Sequence, residues 1–220
     1  MLILAIDTAH KNGSIALAEG TESDFKVLGI ALVDGGAFSA QLVPRIAQLL
    51  SKHGFNKSDI AGFALSVGPG SFTGLRIGLA GVKGLVEVLR KPIAAVSSLE
   101  ALASLAPGTT GNVFALLDAG RAEFYVGEYQ ASSTGLRKVR EELATLSGLA
   151  AMVSGRQVVV SEQKVFNAAM SAGASATLVP EVGSDTIARL GWQKLTRQET
   201  VTSDELDANY LRRDETLFSK

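Results

Sequence analysis

The first part of the chain carries apolar runs and turn residues in an order that predicts three strands followed by a helix. Apolar runs of strand length cover Leu2–Asp7, Ser14–Ala18 and Phe25–Val33, with turn residues between them. From Leu42, apolar residues recur at i, i+1, i+4, i+7 and i+8, which is one face of a helix. This spacing predicts a helix over Ser39–Lys52, after a meander of antiparallel strands.

The middle of the chain adds a buried strand over Ile60–Val67 and a long helix over Thr73–Arg90. The turn residues of Pro107–Gly111 then form the best internal boundary. The weaker elements expected after that boundary are strands over Val113–Leu117, Glu123–Tyr129, Val158–Ser161 and Thr177–Val179, and helices over Leu146–Val153, Glu162–Ala172 and Asp185–Leu195.

This order of elements predicts an α/β protein with two lobes, each with a mixed sheet flanked by helices. We place the first lobe at 1–106 and a smaller second lobe at 107–199, with the tail of about 200–220 returning to the first lobe. No fixed-period repeat is evident in the sequence.

Composition narrows the function classes. The chain has 46% apolar and 20% charged residues, as ordinary globular proteins do, and no apolar run reaches the roughly 18 residues of a membrane span. It contains no cysteine, which excludes disulfides and thiolate chemistry and fits the cytoplasm. The net charge is −1, and the dense basic cluster Arg137–Arg140 is followed at once by two glutamates. Tight binding of RNA by this chain alone is therefore not expected.

A glycine-rich segment, Gly68–Gly78, joins the predicted strand to the long helix. A strand, a glycine loop and a helix in this order are typical of phosphate binding. However, Leu75-Arg76 stands where a P-loop needs Lys-Ser/Thr, and the Rossmann spacing of glycines is also missing. Phosphate binding is accordingly not favoured here.

The long helix combines an apolar stripe with internal glycines. The stripe consists of Leu75, Leu79, Val82, Val86 and Leu89, and the glycines are Gly74, Gly78, Gly81 and Gly84. Four glycines inside a helix cost about 3–4 kcal/mol relative to alanine, so some close contact must need the space. Periodicity leaves two interpretations open: packing within this chain, or a helix–helix interface with a second subunit.

Several segments occur in an order that is typical of one protein family. They are Ile3–Thr8, Gly68–Gly78, Val96–Leu102 and Leu117–Tyr125, followed by the tail Asn209–Arg212. Together they resemble the bacterial TsaB family, also called YeaZ. The resemblance implies a fold of the actin-like, Hsp70-like ATPase superfamily, with ribonuclease H-like lobes.

The resemblance also implies a function and its partners. TsaB proteins are non-catalytic scaffolds in the synthesis of threonylcarbamoyladenosine on transfer RNA, and they bind the catalytic paralogue TsaD. The ATPase TsaE completes the complex. We therefore expect no intrinsic cofactor, with ATP or ADP and Mg²⁺ bound only through partner subunits, and tRNA contacted only through the complex. A homodimer through the same helices is expected when the partner is missing.

The resemblance places the TsaD interface on the two first-lobe helices. The implied interface residues are Leu42, Ile46, Leu49, Phe72, Thr73, Gly74, Leu75, Arg76, Gly78, Leu79, Gly81 and Val82. The chain departs from the family at Phe38–Ala40, where a histidine is frequent, and at Gly120, where a basic residue is common. For Asp118, Arg121 and Glu123 we expect an ion pair at a hairpin tip.

Asp7 and Thr8 resemble a vestigial form of the first phosphate-binding hairpin of actin-like ATPases. One interpretation makes Asp7 a carboxylate for Mg²⁺ in an ATPase or phosphotransferase, which is the alternative function. The other makes Asp7 the end of a buried strand, where it caps the turn. The second interpretation is favoured because the other lobe shows no glycine-rich phosphate loop.

Two further enzyme classes find little support in the sequence. The chain has two histidines, His10 and His53, far apart and without cysteine, whereas a catalytic zinc normally has three protein ligands. Proteolysis would need Ser71 or Thr73 beside a base, and no histidine is close to either in sequence. Neither a metal site nor a protease is expected.

Overall fold

The apolar run at the start of the chain becomes the centre of a five-stranded sheet. β1 (Leu2–Asp7) is buried at every position and pairs antiparallel with β2 (Gly13–Gly20), which pairs antiparallel with β3 (Phe25–Val33). On its other side β1 pairs parallel with β4 (Gly62–Gly68), which pairs parallel with β5 (Ile93–Ser97). The order across the sheet is β3-β2-β1-β4-β5.

These observations come from a computed structural model, which describes residues 1–21, 24–34, 36–108, 111–133 and 135–212. The chain divides into two units. Unit 1 contains residues 1–98 and 182–208, and unit 2 contains residues 99–181 and 209–212. No helix in the described part of the chain is both long and apolar enough to cross a membrane.

Two long helices cover one face of the first sheet. α1 (Phe38–Lys52) follows β3, and α2 (Phe72–Leu89) follows β4, with a short 3-10 helix (Lys57–Asp59) between them. α2 begins where the hydroxyl of Ser71 accepts the Gly74 N–H, as an N-cap does. Their apolar faces share one core with β1 and β4. A third, short helix, α3 (Ser98–Ala103), follows β5.

The second unit repeats the plan of the first. Its elements in chain order are β6 (Gly111–Gly120), β7 (Glu123–Ser132), β8 (Gly135–Thr145), α4 (Leu146–Val153), β9 (Gln157–Val160), α5 (Gln163–Ser171) and β10 (Ser175–Leu178). The order β8-β7-β6-β9-β10 has the same antiparallel and parallel pairings as the first sheet. The two units are therefore a topological duplication, although the sequence shows no repeat.

The last helix belongs to unit 1. α6 (Ser184–Thr196) packs on β1, β2, β4 and β5, and it approaches the sheet so closely that a Cβ at Gly191 would lie 2.2 Å from the Ala64 Cβ. Phe63 and Leu65 join the core under α1 and α2, so the alternation along β4 places α6 on the opposite face of the sheet.

The two units differ from the sequence-based division at α6 and at residues 209–212. The sequence places α6 in the second lobe at 107–199, and it places the tail with the first lobe, where residues 200–208 do lie. After α6, Val201 bridges to Ile93 and Leu206 is buried in the core of unit 1. Residues 209–212 then lie with unit 2, and the remainder of the predicted tail, 213–220, is outside the described residues.

The expected fold class is confirmed: the chain is an α/β protein with two lobes, each with a mixed sheet flanked by helices. The pattern of apolar residues does not predict β8. This strand lies at the edge of the second sheet and contains the basic cluster Arg137–Arg140. The Arg140 guanidinium forms ion pairs with Glu128 on β7 and with Glu142. Charge on an exposed edge strand hides the alternation that predicts strands.

Candidate protein-binding face and the turn beneath it

The apolar stripes of α1 and α2 are directed into unit 1. Leu42, Ile46 and Leu49 of α1 are buried, with at most 5% of each side chain exposed. Leu75, Leu79 and Val82 of α2 are buried as well. These six residues belong to the implied TsaD interface, but their side chains contact the interior of this chain. Their role in binding a partner stays a prediction.

The glycines of α2 are in close contact with the rest of unit 1. A Cβ at Gly74 would lie 2.0 Å from the Thr8 carbonyl oxygen, and one at Gly78 would lie 2.4 Å from Thr8 Oγ1. At Gly81 it would lie 2.7 Å from Leu42 Cδ2 of α1. Of the two interpretations that periodicity left open, the structure shows packing within the chain for these three positions. Gly84 differs, because nothing lies within 4 Å of a Cβ built there.

The surfaces of α1 and α2 that remain exposed are partly apolar. Val43 on α1 is 58% exposed and Val88 on α2 is 71% exposed. At the start of α2, Phe72 is 52% exposed and the Arg76 guanidinium carbon lies 3.7 Å from the centre of its ring. Thr73 is exposed next to them. A binding partner on these helices would therefore meet Phe72, Thr73, Arg76 and the two valines.

The turn between β1 and β2 lies directly beneath the glycines of α2. Asp7 is 1% exposed, and its carboxylate accepts the Ala9 N–H at 3.0 Å and lies 2.9 Å from His10 Nδ1. The buried Thr8 hydroxyl has no hydrogen-bond partner among the described residues. The Asp7 carboxylate thus closes its own turn, as expected for a residue that ends a buried strand.

A cavity of about 410 Å³ opens beside this turn. It is lined by His10, Lys11, Asn12, Gly36, Phe38 and Ser71. The fold therefore brings His10 and Ser71 to one cavity, which sequence distance did not suggest. The Ser71 hydroxyl oxygen is engaged as the cap of α2. Within the described ranges, no group of three or more His, Asp or Glu side chains is placed to hold a metal ion.

Unit 2 has a corresponding hairpin at the end of its central strand. The Asp118 carboxylate accepts the Gly120 N–H at 3.0 Å and the Lys164 ammonium at 2.7 Å. The hydrogen bond from Lys164 lowers the pKa of Asp118 below its ordinary value, and the Gly120 N–H acts in the same direction. The turn itself is Arg121-Ala122, both with positive φ, at 55° and 58°.

The ion pairs at this hairpin are not the ones that the sequence suggested. Glu123 pairs with Arg212 from the C-terminal segment, and Arg212 also donates to the Ala119 carbonyl at 2.9 Å. The expected pairing among Asp118, Arg121 and Glu123 is therefore replaced by Lys164 and Arg212. Sequence reasoning missed both pairings because Lys164 and Arg212 lie far along the chain from the hairpin. Arg212 belongs to the family-like tail Asn209–Arg212, but the motif does not indicate what its side chain contacts.

Comparison with known proteins identifies the family. A family model described as "TsaD: tRNA N6-adenosine threonylcarbamoyltransferase" matches residues 35–180, more than half of the chain. The tRNA threonylcarbamoyladenosine biosynthesis protein TsaB of Escherichia coli is 35% identical over 66% of this chain, and that of Bacillus subtilis is 34% identical over 63%. The chain belongs to the TsaB (YeaZ) family.

Structural similarity extends over nearly the whole chain. YeaZ from Pseudomonas aeruginosa has 25% identity and a TM-score of 0.75, covering 94% of this chain and 100% of that one. By sequence, the chain spans 62% and 59% of the length of the two curated TsaB proteins. The resemblance to TsaB that the motifs indicated is confirmed.

The close contact at Gly78 makes a stability prediction. We expect Gly78→Ala to lower the free energy of unfolding by about 1–3 kcal/mol, because the new methyl group overlaps the buried Thr8 side chain. Gly84→Ala, in the same helix with open space, should raise it by about 1 kcal/mol. Urea denaturation of both variants measures the difference. Equal stability of the two would contradict the packing described for Gly78.

The Asp118–Lys164 pair makes a prediction about pH. The pKa of Asp118 is lowered from 3.8 and that of Lys164 is raised from 10.5 in the folded protein. The stabilisation is therefore full between these two ordinary values and is lost as pH falls through the folded pKa of Asp118. We expect Lys164→Met to lower the urea midpoint at pH 7, and this loss to shrink as pH falls below 3.8. Lys138→Met, at an exposed lysine of β8, is the control, and a loss that does not shrink in acid would argue against the pair.

Proposed function

We propose that this chain is a non-catalytic subunit of the machinery that makes threonylcarbamoyladenosine on transfer RNA. The observation that carries this proposal is family membership, since the curated relatives are tRNA threonylcarbamoyladenosine biosynthesis proteins. The matching family model is described as the transferase TsaD itself. A paralogue of the transferase is a natural partner for it, because duplicated domains retain surfaces of similar shape.

The groups that might act chemically in unit 1 are used to hold its structure, which favours a scaffold. The Asp7 carboxylate binds Ala9 N–H and His10, and the Ser71 hydroxyl caps α2. An enzyme needs such groups directed at its substrate. In this proposal the ATP or ADP, Mg²⁺ and the transfer chemistry belong to TsaD and the ATPase TsaE, and tRNA is bound through the assembled complex.

The partner TsaD binds through α1 and α2 in this proposal. The support from the structure is the exposed apolar surface of these helices, at Val43, Phe72 and Val88. Exposed apolar side chains on adjacent helices are a frequent feature of protein interfaces. The buried stripes and the glycines act indirectly, because they fix the distance and rotation of the two helices. Without TsaD, two copies of this chain would pair through the same surface.

A variant at Val88 tests the interface. We expect Val88→Lys to weaken TsaD binding at least tenfold, which is about 1.4 kcal/mol. Val88 is 71% exposed in the free chain, and the substitution replaces its apolar contact with a charge. Val139→Lys on β8, 46% exposed, is the matched control and should bind normally. Calorimetry with TsaD measures both, and thermal unfolding verifies the fold. Unchanged affinity of Val88→Lys would exclude this end of α2 from the interface.

The alternative is an ATPase or phosphotransferase that uses Asp7, and the cavity beside His10, Lys11 and Ser71 is the observation that favours it. Under our proposal, Mg-ATP shows no saturable binding to the isolated chain in calorimetry. Binding that Asp7→Ala abolishes, with the variant still folded, would instead support the enzyme.

A further inference from the structure

Two segments that resemble the TsaB family meet in unit 2, and the proposed function uses neither of them. Leu117–Tyr125 spans the turn between β6 and β7, and Asn209–Arg212, which we call the C-terminal strap, lies against it. The Arg212 guanidinium forms an ion pair with Glu123 and donates to the Ala119 carbonyl at 2.9 Å. The strap and the hairpin therefore form one arrangement, although they lie far apart along the chain.

The other end of the strap is bonded to the same sheet. The Asn209 amide donates to one carboxylate oxygen of Glu141 on β8, and the other oxygen accepts the Tyr129 hydroxyl. Because Tyr129 is only 1% exposed, it fixes Glu141 to the interior of unit 2. Three residues before the strap, Leu206 is buried in the core of unit 1. The strap thus begins beside a firmly packed residue and continues through polar contacts.

The turn beneath the strap has an uncommon backbone. Gly120, Arg121 and Ala122 follow one another with φ of 72°, 55° and 58°. A two-residue hairpin turn with positive φ usually contains Asn-Gly, because other side chains rarely adopt this conformation. Such strain persists where surrounding contacts fix it. One of these contacts is the bond from the Leu146 N–H to the Ala122 carbonyl at 3.1 Å.

We propose that the C-terminal strap is a conformational device that holds this strained turn and that opens while unit 2 stays folded. The Arg212 guanidinium bonds a group on each side of the turn, the Ala119 carbonyl before it and the Glu123 carboxylate after it. Bonds to both sides oppose relaxation of the backbone between them.

The strap can open because its contacts are polar and within reach of water. The side chains of Arg212 and Glu123 are each 27% exposed. Partly exposed ion pairs of this kind contribute little net stability in water, so breaking one leaves the apolar core of the unit intact. The device lies within unit 2, so it does not depend on the TsaD proposal.

Hydrogen exchange followed by mass spectrometry tests the effect of the strap on the hairpin. We expect Arg212→Met to speed amide exchange in residues 118–124 about tenfold, because the turn opens more frequently without the guanidinium. Exchange in α2 of unit 1 should not change. Arg140→Met is the matched control, since Arg140 forms its ion pairs with Glu128 and Glu142 of the same sheet. Unchanged exchange in the hairpin, or equal acceleration by Arg140→Met, would overturn the proposal.

A glycine in the turn separates relief of strain from simple packing. Glycine adopts positive φ freely, so Ala122→Gly should make the strap less necessary. We expect Arg212→Met to speed exchange about tenfold in the natural hairpin, but less than about twofold when Ala122→Gly is also present. Equal effects in the two hairpins would contradict the role proposed for the strap.

Trypsin measures the opening of the strap itself. The enzyme binds an arginine side chain in its own pocket, so it cleaves after Arg212 only when this side chain has left Glu123. We expect Glu123→Gln to speed this cleavage about tenfold, whereas Glu128→Gln on the same strand should leave it unchanged. Every protein also carries Arg213→Gln, so that no arginine follows Arg212, and mass spectrometry measures the loss of residues 213–220. Equally fast cleavage with and without Glu123→Gln would show that the strap is not closed.

Discussion

The close approach of α2 to the turn between β1 and β2 is the contact on which unit 1 depends. Gly74 and Gly78 leave room for the backbone and side chain of Thr8, and no larger residue fits at either position without displacement. Each of these glycines destabilises the helix by about 1 kcal/mol relative to alanine. Their small size lets α2 lie close over the end of β1, and Gly81 likewise makes room for Leu42 of α1. The rotation of both helices, and with it the exposure of Val43 and Val88, follows from this contact.

The same contact supports the prediction that the glycine-rich segment is not a phosphate loop. A phosphate at the start of a helix needs free backbone N–H groups. Here the Ser71 N–H donates to the Ala9 carbonyl at 2.7 Å, and the Gly74 N–H donates to the Ser71 hydroxyl. A Cβ at Gly70 would lie 2.4 Å from the same Ala9 oxygen. Two N–H groups at the start of α2 are therefore already engaged, which disfavours an anion there.

The sequence predicted the elements of unit 1 well, because periodicity reports which residues are buried. β1, β3, α1 and α2 lie within a residue or two of the expected positions. Periodicity does not report what a buried face contacts, so the glycines of α2 had two interpretations until the structure placed Thr8 against them. Periodicity also does not predict β8, a charged edge strand whose Arg140 forms an ion pair with Glu128 of the neighbouring strand β7.

The sequence also does not show which side chains that lie far apart along the chain contact each other. Asp118 and Glu123 were recognised as a charged hairpin, but the cations that bind them, Lys164 and Arg212, come from α5 and the C-terminal segment. The duplication was hidden for a related reason. Two units can share a strand order while few side chains coincide, since the order depends on the alternation of apolar residues rather than on their identities.

One polar motif does recur in both units, and it bears on the choice between scaffold and enzyme. At the end of each central strand an aspartate, Asp7 or Asp118, accepts the N–H two residues ahead. The second oxygen of each carboxylate bonds a nitrogen of the same unit, His10 Nδ1 or the Lys164 ammonium. Both hairpins therefore use their carboxylates to hold their own turns. A scaffold requires only that these turns keep their shape, whereas an ATPase would have to break such bonds before binding a metal ion.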